Sequence, residues 1–137
     1  PEYLIVQQGI DISSFQDLLP TLCEIAGVDV PADIDGISYL PELRGEAKQE
    51  KHPYLYWEFP ESGGQQAVRM GSWKAIRTDI HKGNLSLELY NLEKDIREEH
   101  NVAADHPDLI NEMELVMTQE HVPSELPRFH MQALGDL

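Results

Sequence analysis

The chain has 137 residues, 41% of them apolar, which is enough for one domain or the end of a larger one but not for two independent cores. Its 25 acidic residues outnumber 10 basic ones, giving a formal charge of −15 that repels phosphate backbones and anionic lipid surfaces, so neither nucleic acid nor a membrane is expected as its main partner. The charges are scattered, as on a soluble acidic surface. Cys23 is the single cysteine, with no disulfide partner in the chain and too little company for a zinc site, and its apolar neighbours predict a core position. No run is long enough to span a membrane, and PEYLIVQQG at the start lacks the basic and apolar regions of a signal peptide. The missing initiator Met reads as a piece of something longer or a processed terminus.

In chain order, SSFQDLLPTLCEIAG comes first. Leu18, Leu19, Leu22, Cys23, Ile25 and Ala26 have helical spacing, with Gly27 as the stop. Asp17 as N-cap puts Pro20 at the third helical position, where its missing N–H is no loss, so a helix is expected over about 18–26 with SSFQ extended before it. The stretch from Gly27 to Pro53 is rich in Pro, Gly and Asp and reads as a long surface connection. Asp33, Asp35, Gly36 and Glu42 fall at four positions of a calcium-binding loop. Pro31 would hold the first ligand position without a side-chain oxygen, so a turn is the better reading.

From Tyr54 the pattern changes to strands: YLYWEF, QAVRM, WKAIRT and LSLELYNL, a four-stranded antiparallel meander over 54–92. Gly71-Ser72 is a two-residue hairpin loop needing positive φ at its first position, which pairs Met70 with Trp73, Arg69 with Lys74 and Gln66 with Arg77. Arg69 and Lys74 then stand opposite each other, and two like charges so placed call for a nearby anion, from the chain itself or from a ligand. With PESGG as the preceding loop, Glu58 faces Gln66 and a row Glu58, Gln66, Arg77 forms on the opposite face, in which Arg77 finds its partner. Both faces carry large apolar groups: Tyr56, Val68, Met70 and Trp73 on one, Leu55, Trp57, Phe59 and Ile76 on the other. One helix covers only one face, so a second covering body is expected.

DLINEMELVMTQEH places Leu109, Ile110, Met113, Val116 and Met117 on one stripe, an amphipathic helix over about 106–121 capped by Asp105. Pro123 and Pro127 then begin a loosely held tail. The fold class is therefore α+β, a four-stranded antiparallel sheet with a C-terminal amphipathic helix. His52, His81, His100, His106, His121 and His130 are dispersed with no i, i+4 pair, which favours surface and capping roles over metal binding. Asn84-Leu85-Ser86 is a glycosylation sequon or a plain turn, and Glu93–Glu99 a solvated turn with weak local ion pairs.

Several segments together carry a resemblance. They are Asp17-Leu-Leu-Pro20-Thr-Leu22 with Ala26-Gly27; Asp35-Gly36-Ile-Ser38 with Leu40, Leu43 and Gly45; Gln66-Ala-Val-Arg69 with Gly71-Ser-Trp73-Lys74; and Glu88-Leu-Tyr90-Asn-Leu92 with Asp95, Glu98 and Asn101. Over about residues 4–121 this order is similar to the C-terminal portion of type I sulfatases, relatives of alkaline phosphatase. The resemblance implies a parent with a large α/β domain ahead of this one, and a periplasmic or secreted location. It implies that residues 1–50 are the end of that larger body and its crossing loop, and 51–137 the small domain. It implies a formylglycine made from a C/S-x-P-x-R motif and a calcium ion held by Asp-Asp and Asp-Asn pairs. Neither motif occurs in this chain, and Cys23 is followed by Glu24-Ile25, so no catalytic, cofactor-binding or metal residue is expected here. Arg69 and Lys74, or Glu58 and Gln66, are the candidates for contacts to substrate at the cleft, with the PESGG and DIHKGN loops beside them. The missing large domain is the expected partner. A free-standing module binding sugar or protein through Tyr54, Tyr56, Trp57 and Trp73, or a homodimer burying the second sheet face, are the alternatives.

Overall fold

The structure, a computed structural model, describes residues 12–46 and 48–137; the first residues of the resemblance, 4–11, lie outside them. The chain divides into two compact units between Pro53 and Tyr54.

In the first unit, α1 spans Leu18–Ala26, ended by Gly27 in the left-handed region, and α2 is the single turn Leu40–Leu43. Ser14 leads not into an extended segment but into a 3-10 turn, Phe15–Asp17. The reason is Asp17, whose carboxylate does not cap α1. It turns back to accept the Ser14 N–H at 2.6 Å, and its other oxygen accepts the Ile37 N–H at 2.8 Å and sits 2.7 Å from His52 Nε2. Thr21 Oγ1 donates to the Asp17 carbonyl and accepts from the Tyr39 N–H. The described residues of 27–53 are mostly exposed and irregular, as a surface connection should be, and Asp17 and Thr21 fasten its backbone at Ile37 and Tyr39. Cys23 is only half-buried, not core, because the outer face of α1 is open: Phe15 is 88% exposed, and Leu18, Leu19, Leu22 and Ile25 are exposed too.

Gly36 has a steric task in this unit. A Cβ there would sit inside the van der Waals envelope of the Gln16 carbonyl. Gly36→Ala is expected to force the 34–38 backbone off the 3-10 turn at a cost of about 1–3 kcal/mol, read as a lower urea midpoint with an unchanged slope.

The second unit is the meander. Strands β1 (Leu55–Phe59), β2 (Gln65–Met70), β3 (Trp73–Arg77) and β4 (Glu88–Asn91) pair in sequence order, all antiparallel. The registers Met70 to Trp73, Arg69 to Lys74 and Glu58 to Gln66 are those the loop lengths require, and Gly71 takes the positive φ. β4 is shorter than LSLELYNL suggests, because a 3-10 turn at Ile80–Lys82 takes up the connection and pairing begins only at Glu88. Its outer edge is closed by Asn101 Oδ1, which accepts the Leu89 N–H, and by the Val102 N–H, which donates to the Leu89 carbonyl.

Helix α3, Pro107–Glu120, lays Met113, Val116 and Met117 on Val68, Ala75 and Leu89 of one sheet face. Asp105 is not its cap. It ends a 3-10 turn, Ala103–Asp105, and His106 takes the cap position with its ring 4.7 Å from that of Trp73. The tail is not loose either: Met131 is buried, and the Asp136 carboxylate accepts the Met131 N–H at 2.6 Å. The expectation of looseness fails because Asp136, 15 residues along the chain, finds a partner in His121 at the end of α3.

Candidate functional site

The candidate residues lie on the two faces of the sheet. On the face away from α3 stand Trp57, Phe59, Ala67, Arg69, Lys74 and Ile76. Trp57 and Phe59 are 40% and 50% exposed, so this face is open at its β1 edge, while Leu55 and Tyr90 on the same face are buried. A shallow depression of about 570 Å³ is lined there by Trp57, Ala67, Arg69, Lys74, Leu92, Ile96 and Glu98.

The anion called for by the Arg69 and Lys74 pair is Glu98. Its carboxylate takes both hydrogen bonds of the Lys74 ammonium, at 2.6 and 2.8 Å. Glu98 adopts a left-handed backbone (φ 57°), a conformation that is unfavourable for a side chain without a compensating contact, and the ion pair is that contact. Arg69 remains outside the pair. Its Nε–H donates to the Gly71 carbonyl at 3.3 Å, and no carboxylate among the described residues lies within ion-pair distance of it. Of the four sequence candidates it alone has no side-chain partner among the described residues, Lys74, Glu58 and Gln66 each being bonded to another side chain. Tyr90, opposite Lys74, donates its hydroxyl to Glu88, and that bond to a carboxylate, aided by burial, pushes its phenol up to about 12.

On the α3 face the row Glu58, Gln66, Arg77 exists, but its pairing differs from expectation. Arg77, 5% exposed, pairs with Glu114 of α3 at 2.8 Å and reaches Gln66 Oε1 only at 3.4 Å. Glu58 instead accepts from the Tyr56 hydroxyl and sits 3.0 Å from His121 Nδ1, while His121 Nε2 lies 2.7 Å from Asp136. Gln66 donates to the Tyr56 oxygen at 2.8 Å. Burial and then the Glu58 carboxylate hold the Tyr56 phenol far above its usual range. Burial pulls the His121 imidazolium down, but Glu58 and Asp136 together outweigh it and the net shift is upward. Burial pushes Asp136 up, and the Met131 N–H with His121 outweighs it, so its carboxyl is held below the usual range.

Glu98, Glu114, His121 and Asp136 cannot be seen as site partners in the sequence, because they reach their partners across 24, 37, 63 and 15 residues. Nor are the histidines uniformly on the surface. The side chains of His52 and His121 are nearly buried against carboxylates. Among the described residues one group could gather around a metal ion, Asp95, Glu99 and His100. The Asp95 oxygens already accept the N–H groups of Glu99 and His100, which holds its carboxyl below the usual range and marks a turn. Asp33, with positive φ, and the close-packed Gly36 are likewise turn-formers.

Both the sequence and this fold, a meander backed by one helix, are shared with known proteins. The family described as N-sulphoglucosamine sulphohydrolase, C-terminal, matches residues 6–122. The chain belongs to the sulfatase family. It corresponds to the C-terminal portion of those enzymes. A Delta 4,5-hexuronate-2-O-sulfatase of Bacteroides thetaiotaomicron is 42% identical over 95 residues, covering 65% of this chain and 19% of the relative. Arylsulfatase K of Danio rerio is 28% identical over 121 residues, covering 82% and 23%. Among solved structures, a 2-O GAG sulfatase superposes with a TM-score of 0.62 at 33% identity over 75% of this chain and 23% of its own. A phosphonate monoester hydrolase of Agrobacterium radiobacter gives 0.58 at 25% identity, over 82% and 26%. The chain thus spans about a fifth to a quarter of these sulfatase-like proteins. No helix among the described residues is long and apolar enough to cross a membrane.

Proposed function

We propose that the chain is the non-catalytic C-terminal domain of a sulfuric ester hydrolase, that it completes the fold of its parent, and that it borders the substrate cleft. The observation that carries this reading is the match of residues 6–122 to a C-terminal sulfatase domain. A covalent hydrolase draws most of its rate from its nucleophile, its metal and its charge stabilisers. The residues of this chain do not fit the formylglycine and calcium of the family: there is no C/S-x-P-x-R motif, and the Asp95 group is a backbone-bonded turn. Those groups are assigned to the preceding portion of the parent, and no chemical step is assigned to a residue of this chain.

The same portion is the proposed partner for two bare surfaces, the α1 face of the first unit and the Trp57 and Phe59 face of the second. Each carries several exposed large apolar side chains, the kind of patch that marks a contact surface. The substrate class is a sulfated glycan, favoured because the relatives matched include a hexuronate-2-O-sulfatase and a 2-O GAG sulfatase. An exported parent accords with that class. Arg69, beside Trp57 and without a side-chain partner among the described residues, is the residue proposed to reach an anionic group at the cleft; Lys74, Glu58 and Gln66 are committed within the chain.

Arg69→Ala in the longer parent tests this role. A KM for a sulfated disaccharide raised several-fold, with Tm nearly unchanged, is the expected result. A lower Tm with unchanged KM would make Arg69 a docking residue, and no change in either would remove it from the account.

A further inference from the structure

His121 sits at the end of α3 between two carboxylates on different elements, Glu58 of β1 at 3.0 Å and Asp136 of the tail at 2.7 Å. An imidazolium donates from both ring nitrogens and satisfies both carboxylates. A neutral imidazole has one N–H for two acceptors, so one carboxylate then faces a lone pair. Neither carboxylate is in open solvent, the Glu58 side chain being 20% exposed and Asp136 5% with the Met131 N–H as a further partner, and deprotonation takes from both the cation they share.

Met131 is what the contact holds in place. Its sulfur lies against Gly64, whose backbone also abuts Ile80, and the Ile80 and His81 N–H groups donate to the Gly64 and Gly63 carbonyls. Residues 122–137 therefore lie over the end of the sheet where the 60–64 and 80–83 loops are tied together. The family match stops at residue 122, so this segment lies beyond the matched range.

We propose that residues 122–137 are a pH-gated strap, docked over the Gly64 and Ile80 end of the sheet while His121 is protonated between Glu58 and Asp136, and released when it loses that proton. The groups facing the switch are Glu58 and Tyr56 from β1, Asp136 and His130 from the tail, and Glu120 from α3 itself, which bonds Tyr54. Tyr56 stays a neutral donor to Glu58 throughout, because burial and that carboxylate hold its phenol far above neutrality. Arg77 and Glu114, next along the row, pair with each other.

The direction is fixed by linkage. A histidine raised above its ordinary 6.5 stabilises the docked state fully below 6.5, and that stabilisation is lost as pH rises through the folded value. Asp136, lowered from 3.8, contributes above 3.8 and is lost only as pH falls through its own folded value. The strap is therefore closed in mildly acidic solution and opens as pH rises through the folded His121 value, which lies above 6.5.

Hydrogen exchange of the full chain at about pH 5.5 and about pH 9 tests this, with rates normalised to the intrinsic exchange at each pH. Protection of the 128–137 segment is expected to fall by about tenfold or more at the higher pH, while Val68 and Ala75 stay protected. His121→Gln is expected to abolish that pH dependence, and Asp136→Asn to bring the acidic-pH protection down to the alkaline level. Equal protection of the segment at both pH values overturns the proposal. So does loss of protection by Val68 and Ala75 together with the segment, or an unaltered pH dependence in His121→Gln.

Discussion

Asp17→Ala is expected to destabilise the first unit by about 3–5 kcal/mol. Asp17 is 1% exposed, and its two oxygens serve the Ser14 N–H, the Ile37 N–H and the His52 ring at once. Truncation leaves all three groups without their acceptor, and each such group costs about 1–3 kcal/mol when buried, less when the site relaxes. The effect reaches beyond the local turn, because Ile37 is where the 27–53 segment is fastened to the helix. Urea unfolding gives the total, and amide exchange at Ile37 and Tyr39 locates it: both should lose most of their protection in the variant. A loss under about 1 kcal/mol would mean that water replaces the carboxylate and that the buried network contributes little.

Met113→Ala is the second large effect, expected at about 2–5 kcal/mol in the other unit. Met113 is fully buried between α3 and the sheet, in one cluster with Val68, Ala75, Leu89 and Met117. Its removal costs the transfer of the side chain from water and leaves a cavity that a sheet on one side and a helix on the other cannot close. Exposed Leu115 on the same helix is the control, and its truncation should stay within about 0.5 kcal/mol. Fluorescence of Trp57 and Trp73, both in this unit, reports the unfolding. Similar losses for the two variants would show that α3 is not seated as described.

What is legible in the sequence follows from how far apart the deciding residues lie. The hairpin register is legible because Gly71-Ser72 admits one pairing, which places Arg69 opposite Lys74 without further information. The same logic carries Glu58 to Gln66 across PESGG. The need for an anion beside the cations can be argued from that register, but its identity cannot. Glu98 comes from a turn where its own backbone is unfavourable, and no local pattern announces that.

The 27–53 segment has the composition of a surface connection because its order comes from Asp17 and Thr21, each about twenty residues away, and not from any period of its own. The tail misleads for the same reason, since Asp136 looks like an ordinary acidic residue until α3 brings His121 to it. Bare apolar surface is legible in outline: two apolar sheet faces and one helix leave one face incompletely covered, and Trp57 and Phe59 are its exposed part. The residues that would cover it, and any that react with substrate, are proposed to lie in the preceding portion of the parent.

The most direct measurement is sulfate release from p-nitrophenyl sulfate by the purified 137-residue chain, run beside the longer protein of which it is proposed to be the end. The account predicts turnover by the longer protein and none above buffer by the chain. Turnover by the chain alone that a chelator abolishes would contradict it.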